Sequence, residues 1–304
     1  MKIYSKELIK IKLKFLIIIP THNEEKNILF TLKSLQQQTF QDFFCVIVND
    51  GSTDKTREIV EDFIKDNSKF KIQNLELSKH EPGAKVVRTF SKGLESVGLK
   101  EFDIICKFDA DIIFPSDYLK KVNQVYETQP GAGMVSGIVK IKKSIFEKAL
   151  VFDFQDEKRQ WIYENISSKN HIRGPIKSYR KECFLDMNGL RSVLGWDNID
   201  VMLAKKNGWE TVTIKDLWVK HLRPTAYQYR NQKAEKLGEY FYNIGLNLPL
   251  TIISSGKSSL KNKSVSEFFT TMKSFLKQKG DRSLSLEEIK YIRNLRWNQM
   301  FTRK

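Results

Sequence analysis

Asp109-Ala110-Asp111 sets two carboxylates at i and i+2, directly after the apolar run Phe102–Phe108. Oxygen ligands so spaced at a strand end can share one hard divalent cation, which keeps waters and bridges substrate phosphates. In a chain of this length and aspartate content, about one such pair arises by chance, so the tripeptide gains weight only from its company. That company begins with a second acidic strand end, Asp50, in Val48-Asn49-Asp50-Gly51-Ser52-Thr53-Asp54. A polar strand end, Thr21-His22-Asn23-Glu24, follows Phe15–Ile19.

The elements that must position these residues can be read from the apolar pattern. Phe15–Ile19, Phe44–Val48, Ile72–Leu77 and Phe102–Phe108 read as strands. Between them lie helical patterns: one carrying Ile28, Leu32 and Leu35, one carrying Ile59, Val60 and Phe63, and one from about Lys85 to Val97. Thr53 or Asp54 is suited to cap the second. Alternation of this kind predicts βαβ units and an α/β fold with a mostly parallel sheet flanked by helices. Ligands of open α/β sheets bind at the carboxyl ends of the strands, so the loops at Thr21–Glu24, Asp50–Ser52 and Asp109–Asp111 should line one crevice. Pro115-Ser116 opens the next helix and Met134–Ile141 a further apolar stretch; Phe146–Asn165 reads as polar and helical. A strand-like Thr211–Val219 ends at His221, and the Ser/Lys/Asn-rich Ser254–Ser266 reads as a flexible linker.

The bulk properties bound the reading. At 304 residues and 40% hydrophobic, the chain has material for a large α/β core with an appendage. Three isolated cysteines in apolar surroundings suit reduced thiols, and no CxxC pair suggests zinc. No signal peptide or spanning run is visible, so the chain is expected on the cytoplasmic side, with the inner face of the cell membrane as one place for it there. The net charge of +16 is concentrated beyond Ala226, where the segment to Lys304 carries about +9 by simple counting.

Taken together, Ile19-Pro20-Thr21-His22-Asn23-Glu24, Val48–Asp54 and Phe108-Asp109-Ala110-Asp111 resemble, in order and spacing, the family 2 glycosyltransferases of the GT-A fold. The likeness runs from about Lys14 to His221. It implies a GT-A catalytic domain over 1–225, with a nucleotide-binding half at about 12–130 and an acceptor-binding half at about 131–225. The segment 226–304 is then a basic, amphipathic helical C-terminal extension.

The resemblance assigns roles. Asp50 contacts the nucleoside, and Thr21 and Glu24 line the same pocket. Pro82-Gly83-Ala84-Lys85-Val86-Val87-Arg88 sits where relatives carry a Gly-and-basic stretch touching the nucleotide, so Lys85 or Arg88 would offset diphosphate charge; a solvated helix start explains them equally well. Asp109 and Asp111 hold Mn²⁺ or Mg²⁺, with Asp109 also near the donor. His221 stands where several relatives complete the metal site with a histidine, which suits Mn²⁺ better than Mg²⁺; a structural imidazole is the even alternative.

Gly195-Trp196-Asp197-Asn198-Ile199-Asp200 resembles the family's acidic motif near the acceptor. An inverting transfer needs one carboxylate there to take the acceptor proton. Asp197 is the first choice and Asp200 the second, because Asn198 stands where many members carry Asp. The competing reading of this hexapeptide is a helix cap with an acidic first turn.

The expected activity is transfer of a sugar from a nucleotide-diphosphate sugar, UDP-linked by expectation, to a glycan or lipid-linked acceptor in envelope or polysaccharide synthesis. In the extension, Phe268, Phe269, Met272, Phe275 and Leu276 form an apolar stripe among lysines, continued by Leu286, Ile289, Ile292 and Leu295. Such helices either lie on an anionic membrane or pack onto the catalytic domain. Three rivals were weighed. A sugar nucleotidyltransferase would want a Gly-rich basic loop after the first strand. A basic nucleic-acid binder would want aromatic and basic residues interleaved on one surface, so no nucleic-acid partner is expected. A catalytically inactive nucleotide-sugar-binding relative is kept open by Asn198.

Overall fold

Phe15 to Ile19 are all fully buried, which is what a central strand covered by helices on both faces requires. In the computed structural model, which describes residues 13–142, 152, 154, 160–166, 168–223 and 233–302, they form β1 (Phe15–Thr21). It pairs in parallel with β2 (Phe43–Asp50) and β4 (Ile104–Phe108), and β2 pairs in parallel with β3 (Phe70–Leu75). The crossovers are α1 (Ile28–Gln36), α2 (Thr56–Ile64) and α3 (Ala84–Val97). Neither Thr53 nor Asp54 is the N-cap of α2, which is Lys55; Asp54 lies one residue earlier, its Oδ1 accepting from Thr56 N at 3.0 Å.

Beyond β4 the sheet becomes mixed. Its order is β3-β2-β1-β4-β8-β6-β9-β5, where β5 is Ile112–Ile113, β6 is Ala132–Lys142, β8 is Ile176–Arg180 and β9 is Glu210–His221. β8 runs antiparallel between β4 and β6, β6 and β9 run parallel, and β5 runs antiparallel to the end of β9. That last pairing matters most: Ile112 lies opposite His221, which carries the histidine to the Asp-Ala-Asp loop. The remaining helices of this part are α4 (Tyr118–Thr128), α5 (Lys181–Asp186) and α6 (Trp196–Lys206).

Two further sequence expectations are corrected. Within Phe146–Asn165, Trp161–Tyr163 form a strand, β7, paired with the end of β6 rather than a helix; Trp161 is buried there, where a sheet edge offers cover that an isolated polar helix lacks. The rest of that segment lies mostly outside the described residues. Ser254–Ser266 is not a flexible linker: α8 spans Leu248–Asn262 and stops only at Lys263, whose φ of 51° breaks the helix. Asn247 caps it by accepting from Leu250 N. The small hydroxyls lie on a packed face, with Ser255 and Ser259 buried and Ser259 Oγ donating to Ser264 O at 2.6 Å.

The extension also holds α7 (Lys233–Asn243), α9 (Val265–Lys277) and α10 (Leu286–Phe301). Phe241, Leu250, Phe275, Ile289 and Ile292 join one core cluster with Leu16 and Ile18 of β1. Packing onto the catalytic sheet therefore takes part of the apolar stripe, while Phe269 and Leu276 stay exposed. Among the described residues, no helix is long and apolar enough to cross a membrane.

Gly93 shows how closely α3 approaches the sheet. A Cβ there would lie 2.7 Å from Ile18 Cγ2 and 2.8 Å from Val48 Cγ2. Alanine would gain up to about 1 kcal/mol of helix propensity, but overpacking costs about 1–3 kcal/mol. Gly93→Ala should lower stability in urea by about 1 kcal/mol; a rise would show that the strand side chains yield freely.

Candidate active site

The loop after β4 is held from three sides before any ligand arrives. Thr31 of α1 donates to Ala110 O at 2.8 Å and accepts from Ile112 N at 3.0 Å. Asp109 N donates to Pro175 O, and Leu222 N to Asp111 O, both at 2.9 Å. Asp109, Asp111 and His221 consequently offer donor atoms within 4.8 Å of one another. Two carboxylates and an imidazole form a donor set that fits Mn²⁺, and the chemistry of the residues present suits that ion.

Behind them the sheet supplies orientation. His221 Nε2 lies 3.5 Å from Asp111 Oδ1, and its Nδ1 lies 3.4 Å from Glu164 Oε2. Glu164 in turn accepts from Arg173 Nη2 at 2.7 Å. A carboxylate behind a ligating histidine fixes the ring's orientation and raises its basicity. Burial alone would lower the His221 pKa; the hydrogen bonds and charges of Asp111 and Glu164 outweigh it and raise the value to about 9. Asp111 is shifted the other way: burial pushes its carboxyl up, but His221, Arg223 and Lys107 together hold it below the ordinary value.

The loops after β1 and β2 and the start of α3 enclose a cavity of about 260 Å³, lined by Thr21, Glu24, Asp50, Gly83, Lys85 and Thr89 among others. Asp50 is aimed by its neighbours. It accepts from Ser78 N at 2.9 Å, from Ser78 Oγ at 2.7 Å and from Thr89 Oγ1 at 2.9 Å, with Lys85 Nζ 3.5 Å away. Burial would raise its pKa, yet these donors hold it below the ordinary value. His22 Nδ1 lies 2.8 Å from Asp50 O, which ties the loops after β1 and β2 together. Arg88 is placed differently from Lys85. Its guanidinium donates to Glu81 and to Lys79 O, and it does not line the cavity.

A stability test follows from Asp50. A carboxylate with a lowered folded pKa contributes stability above its unfolded value of about 4, and that contribution is lost as pH falls through the folded value. Asp50→Asn lacks this contribution. The stability gap between wild type and Asp50→Asn, measured by urea melts, should therefore be smaller at pH 3 than at pH 7. An equal gap at both would mean that the hydrogen bonds of Asp50 do not depend on its charge.

The acceptor-side motif splits into two environments. Asp200 is 1% exposed; Lys177 Nζ lies 2.7 Å from both of its oxygens, and Tyr179 Oη donates to Oδ2 at 2.6 Å. Burial raises its pKa, opposed by Lys177 and Tyr179. Asp197, in the first turn of α6, is partly exposed, and no donor among the described residues pairs with its carboxylate. Its backbone oxygen accepts from Lys177 Nζ at 2.6 Å.

A second lysine links the two halves. Lys107, 3% exposed, contacts Asp109 Oδ1 and donates to Gly174 O at 3.3 Å. A Cβ on Gly174 would lie 3.6 Å from Asp197 Oδ2. Lys107 and Lys177 face each other across β4 and β8 and flank the Trp196 ring at 5.2 and 5.4 Å.

Several of these groups escaped the sequence reading. Lys107 carried a usable signal, since it interrupts an otherwise apolar strand and a buried lysine demands a partner; Lys177, in the polar Ile176–Arg180, carried none. Ser78, Thr89, Glu164, Arg173 and Arg223 carried none, because only the folded chain brings them to the site. Arg223 lies just past His221, its Nη2 on Glu24 Oε1 and 3.3 Å from Asp111 Oδ2. It therefore bridges the loop after β1 and Asp111.

Solved structures that superimpose on this chain include glycosyltransferases. The mannosyltransferase PcManGT from Pyrobaculum calidifontis, in complex with GDP-Man and Mn²⁺, superimposes with a TM-score of 0.58 at 15% identity, covering 96% of this chain and 81% of that one. Staphylococcus aureus TarS 1–349 in complex with UDP-GlcNAc gives 0.54 at 17% identity, covering 95% and 92%. The fold is thus the α/β GT-A fold of glycosyltransferases. The sequence pattern of glycosyl transferase family 2 matches residues 16–184, more than half of the chain, and the chain belongs to that family. Curated relatives include an uncharacterized protein of Methanocaldococcus jannaschii, 36% identical over 126 residues, or 41% of this chain and 52% of the relative. They also include the poly-beta-1,6-N-acetyl-D-glucosamine synthase of Staphylococcus epidermidis, 27% identical over 139 residues, or 45% and 32%. The chain spans about half of the first relative's length and a third of the second's.

Proposed function

We propose that this chain transfers a sugar, with inversion, from a nucleotide-diphosphate sugar to a glycan or lipid-linked acceptor in envelope or polysaccharide synthesis. The observation that carries the reading is the link from the 260 Å³ cavity around Asp50 to the Asp109–Asp111–His221 triad, made by the lining residue Glu24 through Arg223 to Asp111. A UDP-linked donor is favoured by the UDP-GlcNAc complex of TarS, although the PcManGT complex holds GDP-Man. Asp50, Thr21, Glu24 and Lys85 hold the nucleoside end. Asp109, Asp111 and His221 hold a divalent cation, Mn²⁺ in preference to Mg²⁺. When bound, that ion neutralises charge on the departing diphosphate.

Asp197 serves as the base that takes the acceptor's hydroxyl proton. Its carboxylate is free to do so, whereas that of Asp200 is fully engaged by Lys177 and Tyr179. Asp200 instead fixes Lys177, which holds the backbone of Asp197. Peripheral contact with an anionic membrane and a position at its inner face remain part of this proposal, supported by the basic, partly exposed stripe of α9. Screening radiolabelled nucleotide sugars for metal-dependent hydrolysis tests the donor. Turnover of one donor is expected, and turnover of none would overturn the proposal.

Arg223 extends it. The guanidinium lies between the nucleoside cavity and the triad, where a diphosphate must pass. In the nucleotide-free chain it is a counter-cation on Asp111. Arg223→Gln should therefore tighten binding of Mn²⁺ alone. It should weaken nucleoside diphosphate binding about 10- to 100-fold, the worth of one charge-assisted hydrogen bond, and leave the monophosphate less affected. Calorimetric titrations with the three ligands decide; equal weakening of mono- and diphosphate would remove Arg223 from the diphosphate.

A further inference from the structure

Buried and half-buried cations of this chain mostly meet a carboxylate: Arg173 meets Glu164, Arg191 meets Glu288, Lys107 meets Asp109 and Lys177 meets Asp200. One group does not. Where α7 ends, Arg293 Nε donates to Gly245 O at 2.7 Å and Arg282 Nη2 donates to Leu246 O at 3.1 Å, with the Arg282 guanidinium 4.5 Å over Tyr242. Both arginines, together with Lys290, Asn247 and Trp297, line a cavity of about 300 Å³ between α8 and α10 that has no acidic lining residue. Among the described residues none of the three cations forms an ion pair, and the buried Nε of Arg282 has no hydrogen-bond acceptor.

Capping the carbonyls at the end of α7 accounts for part of this arrangement. It does not account for three positive charges around one cavity with no carboxylate among its lining residues. Such a cluster makes the local potential positive and attracts an anion. Like charges also crowd one another: burial, and then the nearby charge of Arg282, hold the Arg293 pKa below its ordinary value. Two planar guanidinium forks, an ammonium and the Asn247 amide match a tetrahedral oxyanion, for which arginine offers paired N–H donors.

We propose that this cavity is a binding site for a phosphate group, carried either by a lipid headgroup or by a soluble anion. The lining residue Leu286 is 86% exposed, and Leu248, next to Asn247, is 47% exposed. An aliphatic rim around a cationic pocket suits a headgroup phosphate at a bilayer interface, where the rim reaches the acyl boundary. The site does not depend on the transfer chemistry at Asp109 and Asp111, and it stands or falls separately.

The test uses the full chain, with Lys290→Glu as the probe variant because Lys290 is exposed and caps nothing. Lys257→Glu, on α8 and outside the cavity lining, controls for net charge. Inorganic phosphate at matched ionic strength should raise the melting temperature of wild type and Lys257→Glu, with the apparent affinity of Lys290→Glu at least about fivefold weaker, as for a lost charged contact. In a second arm, sedimentation with phosphatidylcholine vesicles with and without phosphatidylglycerol identifies the source. Pelleting that needs the anionic lipid, falls in Lys290→Glu and is competed by phosphate assigns the site to a lipid. A phosphate response without pelleting assigns it to a soluble anion. If neither probe acts on wild type, or if Lys290→Glu and Lys257→Glu respond alike, the site does not exist.

Discussion

Asp197→Asn should retain metal-dependent nucleotide binding and lose turnover, with kcat falling about 10²- to 10⁴-fold, the usual contribution of a positioned general base. The expectation rests on what surrounds the two candidate carboxylates. Asp200 accepts from Lys177, Tyr179 and Val201 N, so no lone pair faces an acceptor hydroxyl. Asp197 is partly exposed and its carboxylate is unengaged, near Gly174, whose carbonyl accepts from the Lys107 that also contacts Asp109. Amide replaces carboxylate there with little change of shape, so a loss confined to kcat is a loss of chemistry. Steady-state kinetics beside nucleotide titrations measure the split. A fall in nucleotide affinity of the same size as the fall in kcat would make Asp197 a donor-site residue instead.

Lys177→Met should destabilise the fold by about 3–5 kcal/mol, because it strands the buried Asp200 carboxylate without its cation. The native pair is 0% and 1% exposed. The double change Lys177→Met with Asp200→Leu removes both charges together, leaving neither buried without its counter-charge, and should recover most of the loss. Urea melts of the two single variants and the double variant close the cycle. Near-additive losses would mean that the two side chains do not stabilise each other. If stability recovers in the double variant while turnover stays low, Lys177 also acts by holding the Asp197 backbone, which its 2.6 Å hydrogen bond to that oxygen anticipates.

Much of the architecture could be read from the order of residues. β1 and β2 sit where unbroken apolar runs placed them, because a strand covered on both faces has few polar positions to blur the signal, and β4 is legible from Ile104-Ile105-Cys106 in spite of Lys107. The second half was harder. β8 enters the sheet antiparallel between β4 and β6, a pairing without local pattern, and the short β7 gains its cover from β6. Ser254–Ser266 misled for a physical reason: serines look like linker material, but here they let α9 pack closely on α8.

For the site, the acidic strand ends were visible as residue types after apolar runs. Their meeting with His221 depended on β9 running alongside β5, which brings residues 111 and 221 together. Arg88 shows the limit in the other direction. It shares a basic segment with Lys85, yet Glu81 draws its guanidinium away while Lys85 turns toward Asp50. Nothing in the spacing separates the two.

The account stands on Asp109, Asp111 and His221 acting as one metal-dependent anchor for a nucleotide diphosphate. Calorimetric titration of UDP and GDP into wild type and Asp111→Asn, with and without Mn²⁺, addresses this most directly. Wild type should bind one of the two nucleotides at least about tenfold tighter with Mn²⁺, worth some 1.4 kcal/mol, and Asp111→Asn should show no metal dependence. Nucleotide binding that ignores Mn²⁺ in wild type, or that keeps its Mn²⁺ dependence in Asp111→Asn, would contradict it.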